Sequence, residues 1–158
     1  MLFVSNATVA AEPATSNLLI VRDSAVHGRG VFAARAIAKG ACIIEYTGRR
    51  VPWSSVSDDP DDPRTYFFGV EDGTVVIDPE VGGNEARWIN HSCAPNCEAI
   101  EDEDGRVFIY ALRNIAAGEE LFYDYQLEID EPVTPKTAGE SPCFCGSANC
   151  RGTLLALP

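Results

Sequence analysis

Three thiols crowd the C-terminal end of the chain: Cys143, Cys145 and Cys150 fall within eight residues. Cys143 and Cys145 are too close in sequence to bridge comfortably, so the spacing suits a metal better than a disulfide. Structural zinc takes four ligands in a tetrahedron, and the fourth must come from elsewhere. Cys93 and Cys97 are the candidates, with Cys42 and the two histidines behind them. If Cys93 supplies it, the metal ties the C-terminal tail to the centre of the chain. Such a cluster belongs in a reducing compartment, and the rival reading of a disulfide-stapled secreted protein fits the spacing poorly.

A second concentration of chemistry is Arg87-Trp88-Ile89-Asn90-His91-Ser92-Cys93-Ala94-Pro95-Asn96-Cys97. It has neither the alternation of a strand nor the spacing of an amphipathic helix. Turn-favouring polar residues directly after Trp88 and Ile89 imply backbone leaving a buried position and turning sharply. Burying Asn90 and His91 is costly without fixed partners, so a site is the expectation. Two further groups could serve it. Gly28-Arg29-Gly30 lets backbone approach a ligand closely, although no dinucleotide fingerprint follows. Tyr123 and Tyr125 would by themselves be ordinary core.

The elements that must position these residues are short. Leu18 to Arg22, Ala41 to Tyr46, Tyr66 to Val70, Val75 to Ile77, Val107 to Ala111 and Leu121 to Tyr125 read as strands or their exits. Asp72-Gly73 marks one hairpin, and the acidic tip Glu101 to Asp104 with Gly105 marks another. Asn84 precedes a short helical turn. Ile37-Ala38-Lys39-Gly40 is echoed by Ile115-Ala116-Ala117-Gly118. Ser54 to Arg64 is an acidic, proline-rich loop. The prediction is a mainly β domain over residues 17–127, a flexible arm over 1–16, a linker over 128–140 and a metal-binding segment over 141–158.

Composition narrows the partners. Twelve basic residues against 24 acidic give a net charge of −12. Phosphate binding needs basic patches, so direct nucleic-acid binding is not expected. A basic peptide or protein tail would be steered in. No apolar run approaches the roughly 18–20 residues that span a bilayer, so no membrane association is expected. The first 17 residues lack a basic start and carry Glu12 and Pro13, unlike a signal peptide. An intracellular protein is the expectation.

Taken together, five motifs in order resemble the SET-domain protein lysine methyltransferases with a post-SET zinc tail. They are Gly28-Arg29-Gly30-Val31-Phe32, Glu45-Tyr46-Thr47-Gly48, Arg87 to Cys93, Gly118 to Tyr125, and the terminal cysteine cluster. They span roughly residues 18 to 155. The resemblance implies a SET-domain fold of small curved β-sheets with a pseudoknot, in which the C-terminal segment passes under the Asn-His chain. It implies S-adenosylmethionine as methyl donor, structural zinc, and a lysine of a histone-like or other basic protein as acceptor. The compartment would be the nucleus in a eukaryote or the cytoplasm in a bacterium.

Carried over by residue, the resemblance makes Tyr125 the catalytic tyrosine and lets Tyr46 line the lysine channel. Gly28, Arg29, Gly30, Tyr66, Arg87, Asn90 and His91 would hold the donor, with Leu154 on its adenine. Cys93, Cys143, Cys145 and Cys150 match the zinc ligands. Tyr123 occupies a position where tyrosine favours mono- or dimethylation over trimethylation. Arg29 stands where the family commonly has tryptophan, and Trp88 where it has phenylalanine. The alternative is a non-catalytic module of this fold that binds donor or a basic peptide without turnover.

Overall fold

The run Val107–Ala111 is apolar at every position and buried at every position. It becomes a central strand because both of its faces find apolar partners. The structure is a computed structural model that describes residues 5–6, 17–56, 67–71 and 73–157. Tyr66, Asp72, the acidic stretch from residue 57 to 64, and the arm apart from Ser5–Asn6 lie outside the described residues.

Eleven short strands are described: β1 (Ser5–Asn6), β2 (Leu19–Asp23), β3 (Arg29–Ala33), β4 (Cys42–Tyr46), β5 (Arg49–Pro52), β6 (Phe68–Val70), β7 (Val75–Asp78), β8 (Asn90–His91), β9 (Cys97–Glu101), β10 (Val107–Ala111) and β11 (Phe122–Tyr123). They form four small sheets, in the orders β1-β9-β10-β4, β5-β7-β6, β2-β3 and β8-β11. In β10, Val107, Ile109 and Ala111 join the main core, while Phe108 and Tyr110 meet Cys42 in a smaller cluster on the other face. β5 has no counterpart among the expected strands. Its proline falls at the last residue, on an edge strand beside β7, where a missing N–H is tolerated.

The two echoed turns pair with each other. Ile37 and Ile115 exchange backbone hydrogen bonds of 2.9 Å in both directions. This closes the body around a core that includes Val31, Ile43, Tyr46, Phe68, Ile89, Ile109 and Tyr123. β11 runs parallel to β8, pairing Phe122 with Asn90 and Tyr123 with His91. The chain after residue 121 is thereby placed beside the Asn-His stretch.

The expected linker is partly helical, with α1 at Pro135–Glu140. A reciprocal cap explains it. The Thr134 hydroxyl accepts from the Thr137 amide at 3.2 Å, and the Thr137 hydroxyl accepts from the Thr134 amide at 2.8 Å. Pro135 in the first turn has the right fixed φ and no N–H to waste. Among the described residues no helix is long and apolar enough to cross a membrane.

Candidate active site and metal centre

The six cysteines form no disulfide. Four of them, Cys93, Cys143, Cys145 and Cys150, bring their sulfurs within 4.8 Å of one another. Cys93 and Cys143 Sγ stand 3.8 Å apart. Zinc–sulfur bonds of about 2.3 Å in a tetrahedron give edges of about 3.8 Å. Each sulfur also accepts a backbone N–H: Arg151 to Cys93, Cys145 to Cys143, Cys93 to Cys145 and Gly152 to Cys150, at 3.4–3.5 Å. Amides aimed at sulfur stabilise thiolates, the form that binds metal. The donor set fits zinc.

The choice left open between Cys93 and Cys97 is resolved by position: the Cys93 sulfur joins those of Cys143, Cys145 and Cys150, and that of Cys97 does not. Cys97 is enclosed in the core, and burial pushes its thiol up to about 12. Cys42 is likewise raised by burial, on the far face of the main sheet. Both remain inert thiols there.

Beside the four sulfurs lies a cavity of about 460 Å³. One wall comes from the body: Val26, His27, Asn90, His91, Tyr125 and Leu127. The other comes from the tail: Glu140, Ser141, Pro142, Cys143, Phe144 and Leu154. The cysteine-bearing tail therefore completes the cavity. Apolar walls with a few converging polar groups suit a small organic ligand.

Asn90 organises the body wall. Its side-chain amide donates to His27 O at 3.1 Å, Arg29 O at 2.9 Å and Glu120 Oε1 at 3.0 Å. The Gly28-Arg29-Gly30 loop is thus held from behind. Gly28 takes the left-handed conformation, with φ of 45°. Gly28, Arg29 and Gly30 adjoin the cavity through His27 without lining it. Arg87 points elsewhere: it donates to Pro79 O at 3.2 Å and stacks on Trp88 at 4.4 Å.

His91 is buried, and burial lowers its pKa to about 4 against the pull of Asp124. Its ring is neutral at pH 7. The Tyr125 amide donates to Nδ1 at 3.1 Å, so the ring proton sits on Nε2. Nε2 faces Cys93 Sγ at 3.3 Å.

From His91 a row of rings runs inward. His91 meets Tyr125 edge-on with centroids 5.4 Å apart, and Tyr125 meets Tyr123 at 4.9 Å. Tyr123 meets Phe68 at 6.1 Å, and Phe68 meets Tyr46 at 5.0 Å. The Tyr125 hydroxyl donates to Ile89 O at 2.7 Å. Tyr123 is fully enclosed, and burial holds its phenol neutral. One tyrosine therefore stands where the cavity and the aromatic row meet.

The structure brings Cys93, Cys143, Cys145 and Cys150 together and places Asn90, His91, Tyr125 and Leu154 on the cavity, with Tyr123 and Tyr46 in the ring row behind it. His27, which the sequence offered only as a reserve metal ligand, lines the cavity instead, and Phe144, Glu120 and the pairing of Asp124 with Arg151 were not singled out. A polar asparagine bound for the core demands acceptors, and that demand was the available signal for Glu120. Phe144, 68% exposed between two cysteines, was detectable as an apolar residue with no core to join.

A SET domain profile matches residues 28–126. The chain is 40% identical over 144 residues to the histone-lysine N-methyltransferase trr of Drosophila melanogaster, covering 86% of this chain and 6% of that protein. It is 41% identical to the H3 lysine-4 specific histone-lysine N-methyltransferase of Saccharomyces cerevisiae, covering 83% of this chain and 12% of that one. The chain thus spans a small fraction of these relatives' length. The crystal structure of KRYPTONITE with mCHH DNA, an H3(1-15) peptide and SAH superposes with a TM-score of 0.68 at 33% identity, covering 86% of this chain and 29% of that one. A ctPRC2 structure bound to S-adenosylmethionine gives a TM-score of 0.62 at 27% identity, over 74% and 16%. By its matched motifs and its fold, this chain belongs to the SET-domain family.

Proposed function

We propose that this chain is a protein-lysine N-methyltransferase that uses S-adenosylmethionine and acts on a basic, histone-like tail. The observation that carries the reading is Tyr125, placed where the donor-sized cavity meets the row of buried aromatic rings. The relatives' names and the SAH- and S-adenosylmethionine-bound neighbours support it. S-adenosylmethionine would supply an electrophilic methyl on a sulfonium. Its methyl would pass to a neutral lysine amine, the C–S electron pair staying with sulfur and the resulting ammonium releasing its proton to solvent.

The chain's own residues supply three things. Asn90, through His27 and Arg29, fixes one cavity wall, and Leu154 and Phe144 offer apolar surface for the adenine. Tyr46, Phe68 and Tyr123 are buried aromatic rings; as walls of a lysine channel they would disfavour the lysine ammonium, whose ordinary pKa is about 10.4. Tyr125 orients the neutral amine, as one part of a donor–acceptor alignment that can contribute about 7–11 kcal/mol in all. Zinc on Cys93, Cys143, Cys145 and Cys150 is structural and holds the tail wall in place.

The functional parts are a SET body over 17–127, a linker over 128–140 and a post-SET segment over 141–158. Tyr123 directs the product toward mono- or dimethyl-lysine. The relatives' action on histones favours an intracellular, nuclear setting.

The test is transfer of labelled methyl from S-adenosylmethionine to histone H3 tail peptides by the zinc-loaded chain. Label on lysine is the expected result. Donor binding by calorimetry without any transfer, to peptides or to lysate proteins, would establish a non-catalytic binding module instead.

A further inference from the structure

Asp124 and Arg151 form a two-pronged ion pair, with Nη1 to Oδ2 and Nη2 to Oδ1 both at 2.6 Å. The side chains are only 23% and 17% exposed. Four sulfurs already complete the metal centre, so this pair is not needed to bind the ion. Its place in the chain is informative. Asp124 lies between Tyr123 and Tyr125, and Arg151 follows the last metal ligand, Cys150.

The same guanidinium reaches the cavity's tail wall. Nε donates to Leu155 O at 3.0 Å, and Nη2 to Leu154 O at 3.4 Å. Leu154 lines the cavity. The carboxylate is fixed from its own side, accepting from Gln126 N at 3.2 Å and Gln126 Nε2 at 2.6 Å. One planar fork therefore joins the tyrosine-bearing segment to the tail wall, a geometry that a lysine point charge cannot reproduce.

We propose that the Asp124–Arg151 pair is the latch that couples the docked zinc tail to the donor cavity and to Tyr125. Arg151 is a positioning residue for methyl transfer, and this role rests on the reading above. Without the latch the tail keeps its metal but its cavity wall is no longer held in register with Tyr125.

The test is a double-variant cycle on the full, zinc-loaded chain: Asp124→Asn, Arg151→Gln, the two combined, and Arg151→Lys. Zinc content, calorimetric affinity for S-adenosylmethionine, kcat, and KM for donor and peptide are measured. Each single change should keep the zinc, weaken donor affinity about tenfold and lower kcat, with peptide KM within about twofold. The combined variant should be no worse than either single one, and Arg151→Lys should recover only part of the loss. Effects that multiply in the combined variant, full activity with Arg151→Lys, or zinc lost together with affinity would each overturn the latch. A wild type that binds donor but transfers no methyl would overturn the methyl-transfer reading instead, leaving the calorimetric cycle to judge the latch.

Discussion

The Nε2 atom of His91 lies 3.3 Å from the sulfur of Cys93. With Nδ1 occupied by the Tyr125 amide, the ring donates its one proton toward a sulfur of the candidate zinc cluster. A single imidazole thus touches the four-sulfur cluster with one nitrogen and the tyrosine segment with the other. Removing a donor of this kind typically costs about 10–100-fold in metal affinity. His91→Ala should lower zinc affinity by that order in chelator competition. Zinc affinity equal to wild type would show that the contact is incidental.

Gly30 is small for a reason visible in its neighbours. A methyl group there would collide with Glu120 Oε1 and meet Ser24 Cβ at 3.0 Å. That same oxygen accepts from Asn90. Gly30→Ala should therefore push the Glu120 carboxylate off Asn90, costing about 1–3 kcal/mol in a denaturant melt and weakening donor binding. Glu120→Ala clears the space, so the Gly30→Ala penalty should shrink in that background. An unchanged penalty there would locate the clash elsewhere.

Acid sensitivity has an identifiable contributor. Glu119 is held down to about 2, first by the Arg113 guanidinium and then by the Ala116 amide and Asn96. Its carboxylate binds fewer protons folded than unfolded, so it adds stability above an ordinary carboxylate pKa of about 4.3. That contribution is lost as pH falls toward 2. The Tm gap between wild type and Glu119→Gln should be full at pH 5–7 and narrow steadily below about 4.3. Acid zinc loss affects both proteins alike. A gap independent of pH would remove Glu119 from the account.

Tyr123 tests the product assignment. Its ring is packed between Phe68 and Tyr125, so Tyr123→Phe leaves the aromatic row in place. Loss of one hydroxyl should give the acceptor nitrogen room for further methyl groups. Mass spectrometry of the peptide should show the product moving from mono- and dimethyl toward trimethyl-lysine. An identical product distribution would mean that another residue limits the count.

Much of this was legible in the chain. The apolar runs marked β4, β7 and β10, and the Cys143, Cys145 and Cys150 spacing marked three of the four sulfurs that cluster. The Ile37 and Ile115 turns were visible as echoes, but their mutual pairing was not, because backbone hydrogen bonds carry no residue code. The α1 cap was readable in Thr134, Pro135 and Thr137, yet the surrounding polar residues hid it. Asp124 and Arg151 stand 27 residues apart, and no local period connects them. β5 escaped because a proline at a strand's end reads first as a break.

The central claim is that Tyr125 stands at the meeting point of donor and acceptor, its hydroxyl held by Ile89 O at 2.7 Å. The most direct test compares zinc-loaded wild type with Tyr125→Phe for labelled methyl transfer to an H3 tail peptide, with donor affinity measured in parallel. The account predicts transfer by wild type, a loss of about a hundredfold or more in kcat for the variant, and donor affinity little changed. Equal turnover by the two proteins would contradict it.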